Sequence, residues 1–209
     1  MKVIRPFGPT ISKASMSESL VNELNDYVDK TLKDKLKTQE LDYGKMLAGN
    51  VQQEFLLDKE FTFSSGWEFF LRENTEKWIL ESTNEKVNEF KIIDTWIVRQ
   101  FENEYNPLHS HGGHISGVGY LKLPDNYGET VQKSKEENFN GNIQLVHGSK
   151  NFLSPITLNI KPKVGDFYFF PNYLMHLVYQ FKNKNAERRS VSFNAYIDDT
   201  IYNSYGKKI

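Results

Sequence analysis

The chain has 209 residues, with 26 basic against 27 acidic side chains and a formal net charge of -1. That is length enough for one domain with a full hydrophobic core, and no global field to draw in nucleic acid or an anionic membrane. The absence of cysteine excludes disulfides, thiolate metal ligands and thiol nucleophiles, so oxygen or nitrogen must hold any metal.

No apolar run reaches the ~18 residues of a membrane span, and the opening MKVIRPFGPT has no long apolar stretch. Neither secretion nor membrane insertion is expected, and a cytoplasmic location is the default reading. Residues 3–12 read as a short edge strand interrupted by Pro6 and Pro9. Ser17 is placed to open a helix over 19–36, in which Leu20, Leu24, Val28, Leu32 and Leu36 recur at helical spacing. Residues 38–50 form a polar loop, and 49–58 a turn leading to an ordered segment over the core. Ser64, Ser65 and Gly66 then announce a second helix over 67–85. Its apolar side carries Trp67, Phe70, Leu71, Trp78 and Ile79, which are more simply core contacts than a ligand platform.

From Phe90 onward the pattern is β. Candidate strands cover 92–104, 114–123, 141–147, 152–160, 166–170, 174–181 and 188–197, separated by Gly, Pro, Asn and Lys turns. These predict one β sandwich or barrel backed by helices: a single domain over 1–209, with N-terminal helical support over about 1–90 and the β core over about 91–200. The charged connection 124–140, PDNYGETVQKSKEENFN, reads as a solvated insertion, with a lid or substrate arm as the alternative.

Chemistry concentrates in NPLHSHGGHISGVGY, residues 106–120, which holds three of the five histidines. In an extended segment His109 and His111 project from the same face and can close on one ion. GDFYFFPNYLMH, residues 165–176, is a turn, an aromatic strand and a proline that deliver His176 from a distant part of the chain. Such a set caps adjacent corners of an octahedron and leaves the others open. His114 and His147 read as ordinary polar residues; His114 is a further possible ligand, less attractive for its odd spacing from His111.

KNKN after His176 reads as a hairpin turn that pairs 174–181 with 188–197. On the second strand Arg188, Ser190, Ser192 and Asn194 fall on one face, and Arg189, Val191, Phe193 and Ala195 on the other. With the turn near Asn183 and Lys184, Arg188 stands opposite Tyr179 or Gln180, on the order of 12 Å from His176 along the strand. That span suits a short dicarboxylate with one end on a metal and the other on the guanidinium, the Ser190 hydroxyl adding a hydrogen bond. The plainer alternative is a solvated pair of arginines beside a turn.

HSHGGHISGVGYLKLP, GDFYFFPNYLMH and ERRSVSFN together resemble the Fe(II)- and 2-oxoglutarate-dependent oxygenases, in particular a bacterial and phage group with an H-x-H first motif followed by S-G-x-x-Y-L. The resemblance covers about residues 96–196. It implies a mainly β fold with flanking helices around a double-stranded β-helix, or jelly-roll, core. It also implies oxidation of a substrate, usually hydroxylation, coupled to conversion of 2-oxoglutarate to succinate and carbon dioxide. His109 and His176 match the first and last metal ligands of the family pattern. Arg188 with Ser190 matches the R-x-S pair that holds the far carboxylate of 2-oxoglutarate, and Tyr120 matches the tyrosine that adds a hydroxyl to it. The chain departs from the common His-x-Asp pattern by placing His111 where the aspartate stands. A three-histidine set is neutral, leaves Fe(II) its full charge until the dianion binds, and also suits zinc, nickel or copper. The implied partner is a small-molecule cosubstrate; the substrate is open among peptide, protein and metabolite. A cupin is the rival enzyme class, although no glutamate occurs in 112–120, and a metal-free jelly-roll binding module is the rival outside enzymes.

Overall fold

The computed structural model describes residues 8–130 and 132–203. Residues 3–7 of the expected edge strand lie outside the described residues, and the first strand is β1, Ser12–Ser15. Helix α1, Glu18–Thr31, starts where the Ser17 hydroxyl accepts from the Leu20 amide at 3.2 Å. Its buried face is Leu20, Val21, Leu24, Tyr27 and Val28. The helix does not continue to Leu36 as its spacing predicts. The Asp34 carboxylate accepts from the amides of Leu36 and Lys37 at 3.0 and 3.1 Å and caps a separate helix, α2, Lys35–Glu40. Capping here competes with the α1 ladder and leaves Leu36 exposed.

A single 3-10 turn at Gly44–Met46, strand β2, Gln53–Leu56, and helix α3, Lys59–Ser64, follow. Helix α4, Trp67–Thr83, buries Trp67, Leu71, Trp78 and Ile79 as its pattern predicts. The Trp67 indole donates to Thr95 Oγ1 at 2.9 Å, so the one polar atom of that buried ring is satisfied. The remaining strands are β3, Phe90–Gln100; β4, Asn106–His109; β5, Ile115–Lys122; β6, Ile143–Val146; β7, Thr157–Ile160; β8, Asp166–Pro171; β9, Met175–Val178; and β10, Arg188–Ile197. A last helical turn, α5, covers Asp199–Tyr202.

The strands form two antiparallel sheets, a major one in the order β1-β8-β5-β10-β3-β2 and a minor one in the order β4-β9-β6-β7. Strand alternation then makes two cores. Phe167, Phe169, Val191, Phe193 and Ala195 face out from the major sheet and pack with Leu24, Trp67 and Leu71 of the helices. Val118, Tyr120 and Phe170 face inward and pack with Ile143, Leu145 and Val178 of the minor sheet. Gly117 is required for the first core, since a Cβ there would stand 2.6 Å from Phe167 and 2.7 Å from Phe193. Two facing antiparallel sheets with helices on one side are the jelly-roll core with flanking helices. Among the described residues no helix is long and apolar enough to cross a membrane.

One expected pairing is wrong. Segments 174–181 and 188–197 do not form a hairpin: β9 pairs with β4 and β6 in the minor sheet, while β10 pairs with β3 and β5 in the major one. The intervening backbone is claimed by other segments. Tyr179 N donates to Asn142 O at 2.9 Å, Lys182 N to Tyr127 O at 3.0 Å, and Phe181 O accepts from Asn103 N at 2.9 Å. Arg188 therefore stands opposite Gln100, not Tyr179 or Gln180. The connection through Pro171 is a crossover between sheets, from β8 to β9.

Candidate active site

Strands β4 and β9 lie side by side in the minor sheet with His109 and His176 as direct partners. The strand ends at His109, so His111 reaches the same place from a loop. Its amide donates to Asn172 O at 3.0 Å, and the Asn172 side-chain amide returns a bond to His111 O at 3.2 Å. The loop turns back at Gly113, whose φ of +82° belongs to the left-handed region. Among the described residues, His109, His111 and His176 form the group able to hold a metal ion, with one ring nitrogen of each within 4.8 Å of the others. His111 Nε2 and His176 Nε2 are 3.1 Å apart.

The donor chemistry of the set fits a cation. His109 Nδ1 lies 2.7 Å from Pro107 O and His176 Nδ1 2.9 Å from Leu174 O. Each Nδ1–H donates to its carbonyl, which leaves each Nε2 lone pair directed into the cluster. Trp96 packs on His111 and Phe170 on His176, with ring centroids 5.7 and 5.0 Å apart. Burial among these rings lowers the His109 pKa, takes His111 down to about 3 with help from its two histidine neighbours, and takes His176 down to about 4. All three imidazoles are thus unprotonated at neutral pH, the state a metal requires.

The inward face of β10 meets the same cavity. Its lining combines the three histidines with Arg188, Ser190 and Ser192. Arg188 is 1% exposed. Its Nε donates to Gly141 O at 3.1 Å and its Nη1 to Ser190 Oγ at 3.4 Å, but Nη2 is buried with no partner. Ser190 stands opposite Tyr120 of β5, and the guanidinium lies 5.1 Å from the Tyr120 ring centroid. The Tyr120 hydroxyl is also buried without a partner, and burial drives its pKa well above the ordinary phenol range. A third buried orphan, the Tyr127 hydroxyl, comes from the 124–140 connection. Tyr127 packs edge-on against Phe181 at 5.7 Å and over Gly141, the residue whose carbonyl holds Arg188. Among the described residues no carboxylate pairs with Arg188, whereas Arg189 and Arg99 share Glu187.

The histidines, Arg188, Ser190 and Tyr120 are therefore brought into one neighbourhood. His114 is not: its Nδ1 is 3.0 Å from Ile197 O, and its ring stacks on Tyr202 at 3.9 Å. His147 is exposed in a loop away from the cluster. Tyr127 escaped the sequence reading because its loop has no periodicity. Its signal was one aromatic in the otherwise polar and charged segment PDNYGETVQ.

The jelly roll thus gathers three imidazoles able to hold a metal ion at one part of a cavity and a guanidinium without a carboxylate partner at another. Residues 94–194, just under half of the chain, match the family described as "Putative 2OG-Fe(II) oxygenase", a family whose cofactors are Fe(II) and 2-oxoglutarate. No curated protein matches by sequence. Among solved structures, a Pseudomonas putida prolyl-4-hydroxylase aligns at 12% identity and TM-score 0.59, covering 90% of this chain and 92% of that one. A Trichoplax adhaerens prolyl hydroxylase in complex with a hypoxia inducible factor peptide fragment aligns at 10% identity and TM-score 0.57, covering 94% and 87%. HygX from Streptomyces hygroscopicus, with nickel, 2-oxoglutarate and hygromycin B bound, aligns at 11% identity and TM-score 0.57, covering 90% and 82%.

Proposed function

We propose that this chain is a 2-oxoglutarate-dependent dioxygenase that hydroxylates its substrate, with His109, His111 and His176 holding Fe(II). Arg188, Ser190 and Tyr120 receive the far carboxylate of 2-oxoglutarate, and Tyr127 joins them. The observation that carries the reading is the set of three buried orphans, Arg188 Nη2 and the hydroxyls of Tyr120 and Tyr127. An unpaired buried guanidinium is costly, and unmatched donors around it describe a site for an anionic ligand that supplies the missing acceptors. Bound together, Fe(II) and 2-oxoglutarate supply oxidation by dioxygen, with succinate and carbon dioxide as coproducts.

The chain's own contribution is positional. Backbone carbonyls fix the tautomers of His109 and His176, Trp96 and Phe170 pack on the His111 and His176 rings, and Gly141 O and Ser190 Oγ aim the guanidinium. No side chain is assigned as a general base.

The test is an anaerobic Fe(II) titration with and without 2-oxoglutarate, following the weak visible charge-transfer band of a bidentate 2-oxoacid on iron. Wild type should give the band only with both present. His176→Ala should lose the metal, and Arg188→Ala should keep it while needing far more 2-oxoglutarate. Equal metal content and equal cosubstrate affinity in all three proteins would defeat the assignment, and binding of neither would leave the metal-free module.

A further inference from the structure

His109 and His176 sit on strands, and each ring is held at its Nδ1 by a backbone carbonyl. His111 has neither support. It lies beyond the end of β4, and among the described residues its ring nitrogens meet only His176 Nε2. Trp96 packs on the ring, but that contact is non-directional, so the reach of the imidazole toward the other two is set by the backbone that carries it.

One residue holds that backbone. After β8 the chain turns over Pro171 to Leu174, where the Leu174 amide donates to Pro171 O at 3.0 Å, and Asn172 occupies the first corner. Asn172 O accepts from the His111 amide at 3.0 Å, its own amide donates to His114 O at 3.1 Å, and its Nδ2 donates to His111 O at 3.2 Å. Both main-chain polar groups of His111 are therefore bonded to Asn172. The same turn leads into β9 and delivers His176, so it sets two of the three imidazoles.

A carboxamide suits this position because it donates and accepts at once. Tyr202, in the helical turn α5, donates its hydroxyl to Asn172 Oδ1 at 3.1 Å, which settles the oxygen end of the amide and leaves Nδ2 to His111. The Tyr202 ring stacks on His114 at 3.9 Å, and the His114 amide donates to Ala195 O at 2.9 Å, so the far end of the 111–114 loop is anchored as well. Aspartate at 172 would accept from Tyr202 equally well, but it would set an oxygen against the His111 carbonyl.

We propose that Asn172 is the positioning residue of the third imidazole, with Tyr202 as the tether that keeps its carboxamide turned toward His111. As a statement about metal binding this rests on the three-histidine site proposed above; as a statement about the His111 ring it stands on the hydrogen bonds alone.

The experiment uses the full chain with Asn172→Ala, Asn172→Asp and Tyr202→Phe. Substitution at 172 removes the side-chain bonds and keeps the groups that make both backbone bonds. Fe(II) affinity is measured anaerobically with the metal alone, in competition with a chromophoric chelator, and the histidine ring resonances are followed by proton–nitrogen NMR in the metal-free protein. Asn172→Ala and Asn172→Asp should each bind Fe(II) about tenfold or more weakly, the usual cost of losing a group that orients a metal ligand. Tyr202→Phe should lose about threefold, the margin of one partly exposed neutral hydrogen bond. In Asn172→Ala the His111 ring resonances should move or broaden, those of His109 and His176 should move far less because their carbonyls remain, and the urea midpoint should stay near wild type. Wild-type Fe(II) affinity in Asn172→Ala or in Asn172→Asp overturns the proposal. So does a displacement of all three rings together with a lower urea midpoint, the pattern of a general loosening. Wild type that binds no Fe(II), with the His111 ring alone displaced by Asn172→Ala, would instead remove the metal reading and leave the tether.

Discussion

Arg188 and Arg189 are adjacent on β10 and have opposite electrostatic surroundings. Arg189 is matched on every side, with Glu187 at 2.8 Å, Asp29 at 2.8 Å and Asn25 Oδ1 at 2.9 Å. Arg188, pointing the other way, has one guanidinium nitrogen with nothing to bond. Strand alternation made that division legible in ERRSVSFN, and the spacing of His109, His111 and His176 made the cluster legible too. Tyr127 was not legible, because its position depends on where its loop folds back. Asn140 Nδ2 donates to Tyr127 O at 3.2 Å, and Lys182 N to the same oxygen at 3.0 Å, so the ring is tethered over Gly141 by partners distant in sequence. Tyr127→Phe removes only the hydroxyl. It should leave stability and metal content near wild type and weaken 2-oxoglutarate binding about tenfold, the cost of one hydrogen bond to a charged group at ~1.5 kcal/mol. Calorimetric titration of 2-oxoglutarate into the metal-loaded protein measures it, and an unchanged affinity would show that the hydroxyl faces elsewhere.

At the scale of elements, the pattern located most of the strands and misjudged one partnership. Periodicity says which face of a strand is buried; it does not say which sheet the strand joins, since that is decided by long-range pairing. The KNKN run looked like a hairpin turn, yet Phe181 just before it is 0% exposed and packs edge-on against Tyr127 of the 124–140 connection. The same limit explains the helix that stops at Thr31: a capping aspartate two residues beyond Leu32 outweighs a continuing leucine stripe. Phe181 is thus a buried peg against the Tyr127 ring. Phe181→Ala should cost about 3–5 kcal/mol by leaving a cavity at a fully buried site, read from urea unfolding. It should also weaken 2-oxoglutarate binding, because Tyr127 loses the ring it packs on. A loss of stability with cosubstrate affinity untouched would separate the peg from the pocket.

For the molecule as a whole, helix α1 and three strands of the major sheet are tied by one ionic cluster, and its titration predicts how the fold responds to acid. Glu187 takes Arg99 Nε at 2.6 Å, Arg189 Nε at 2.8 Å and Lys122 Nζ at 3.1 Å, joining β3, β5 and β10, while Arg189 reaches Asp29 on α1. Burial alone would raise the Glu187 pKa, but the hydrogen bonds from Arg99 and Arg189, with Lys122 behind them, outweigh it and hold the carboxyl down to about 2. The folded state thus binds this proton more weakly than the unfolded chain, whose glutamate titrates near the ordinary ~4.3. The stabilisation is therefore complete above that value and is lost as pH falls toward 2. Solvent screening around a half-buried carboxyl keeps its size to about 1–2 kcal/mol, still visible against the total stability of a domain. We propose that the chain folds as one cooperative unit around this cluster. Urea unfolding of wild type at pH 7, 5 and 3, followed by tryptophan fluorescence and far-ultraviolet circular dichroism, should give coincident transitions with a midpoint that drops steeply between pH 5 and 3. Glu187→Gln should be less stable at pH 7 and show a shallower drop, because the group whose protonation drives that part of the curve has been removed. Parallel curves for the two proteins would place the acid sensitivity in other carboxylates, and separated transitions for the two probes would divide the helices from the sheets.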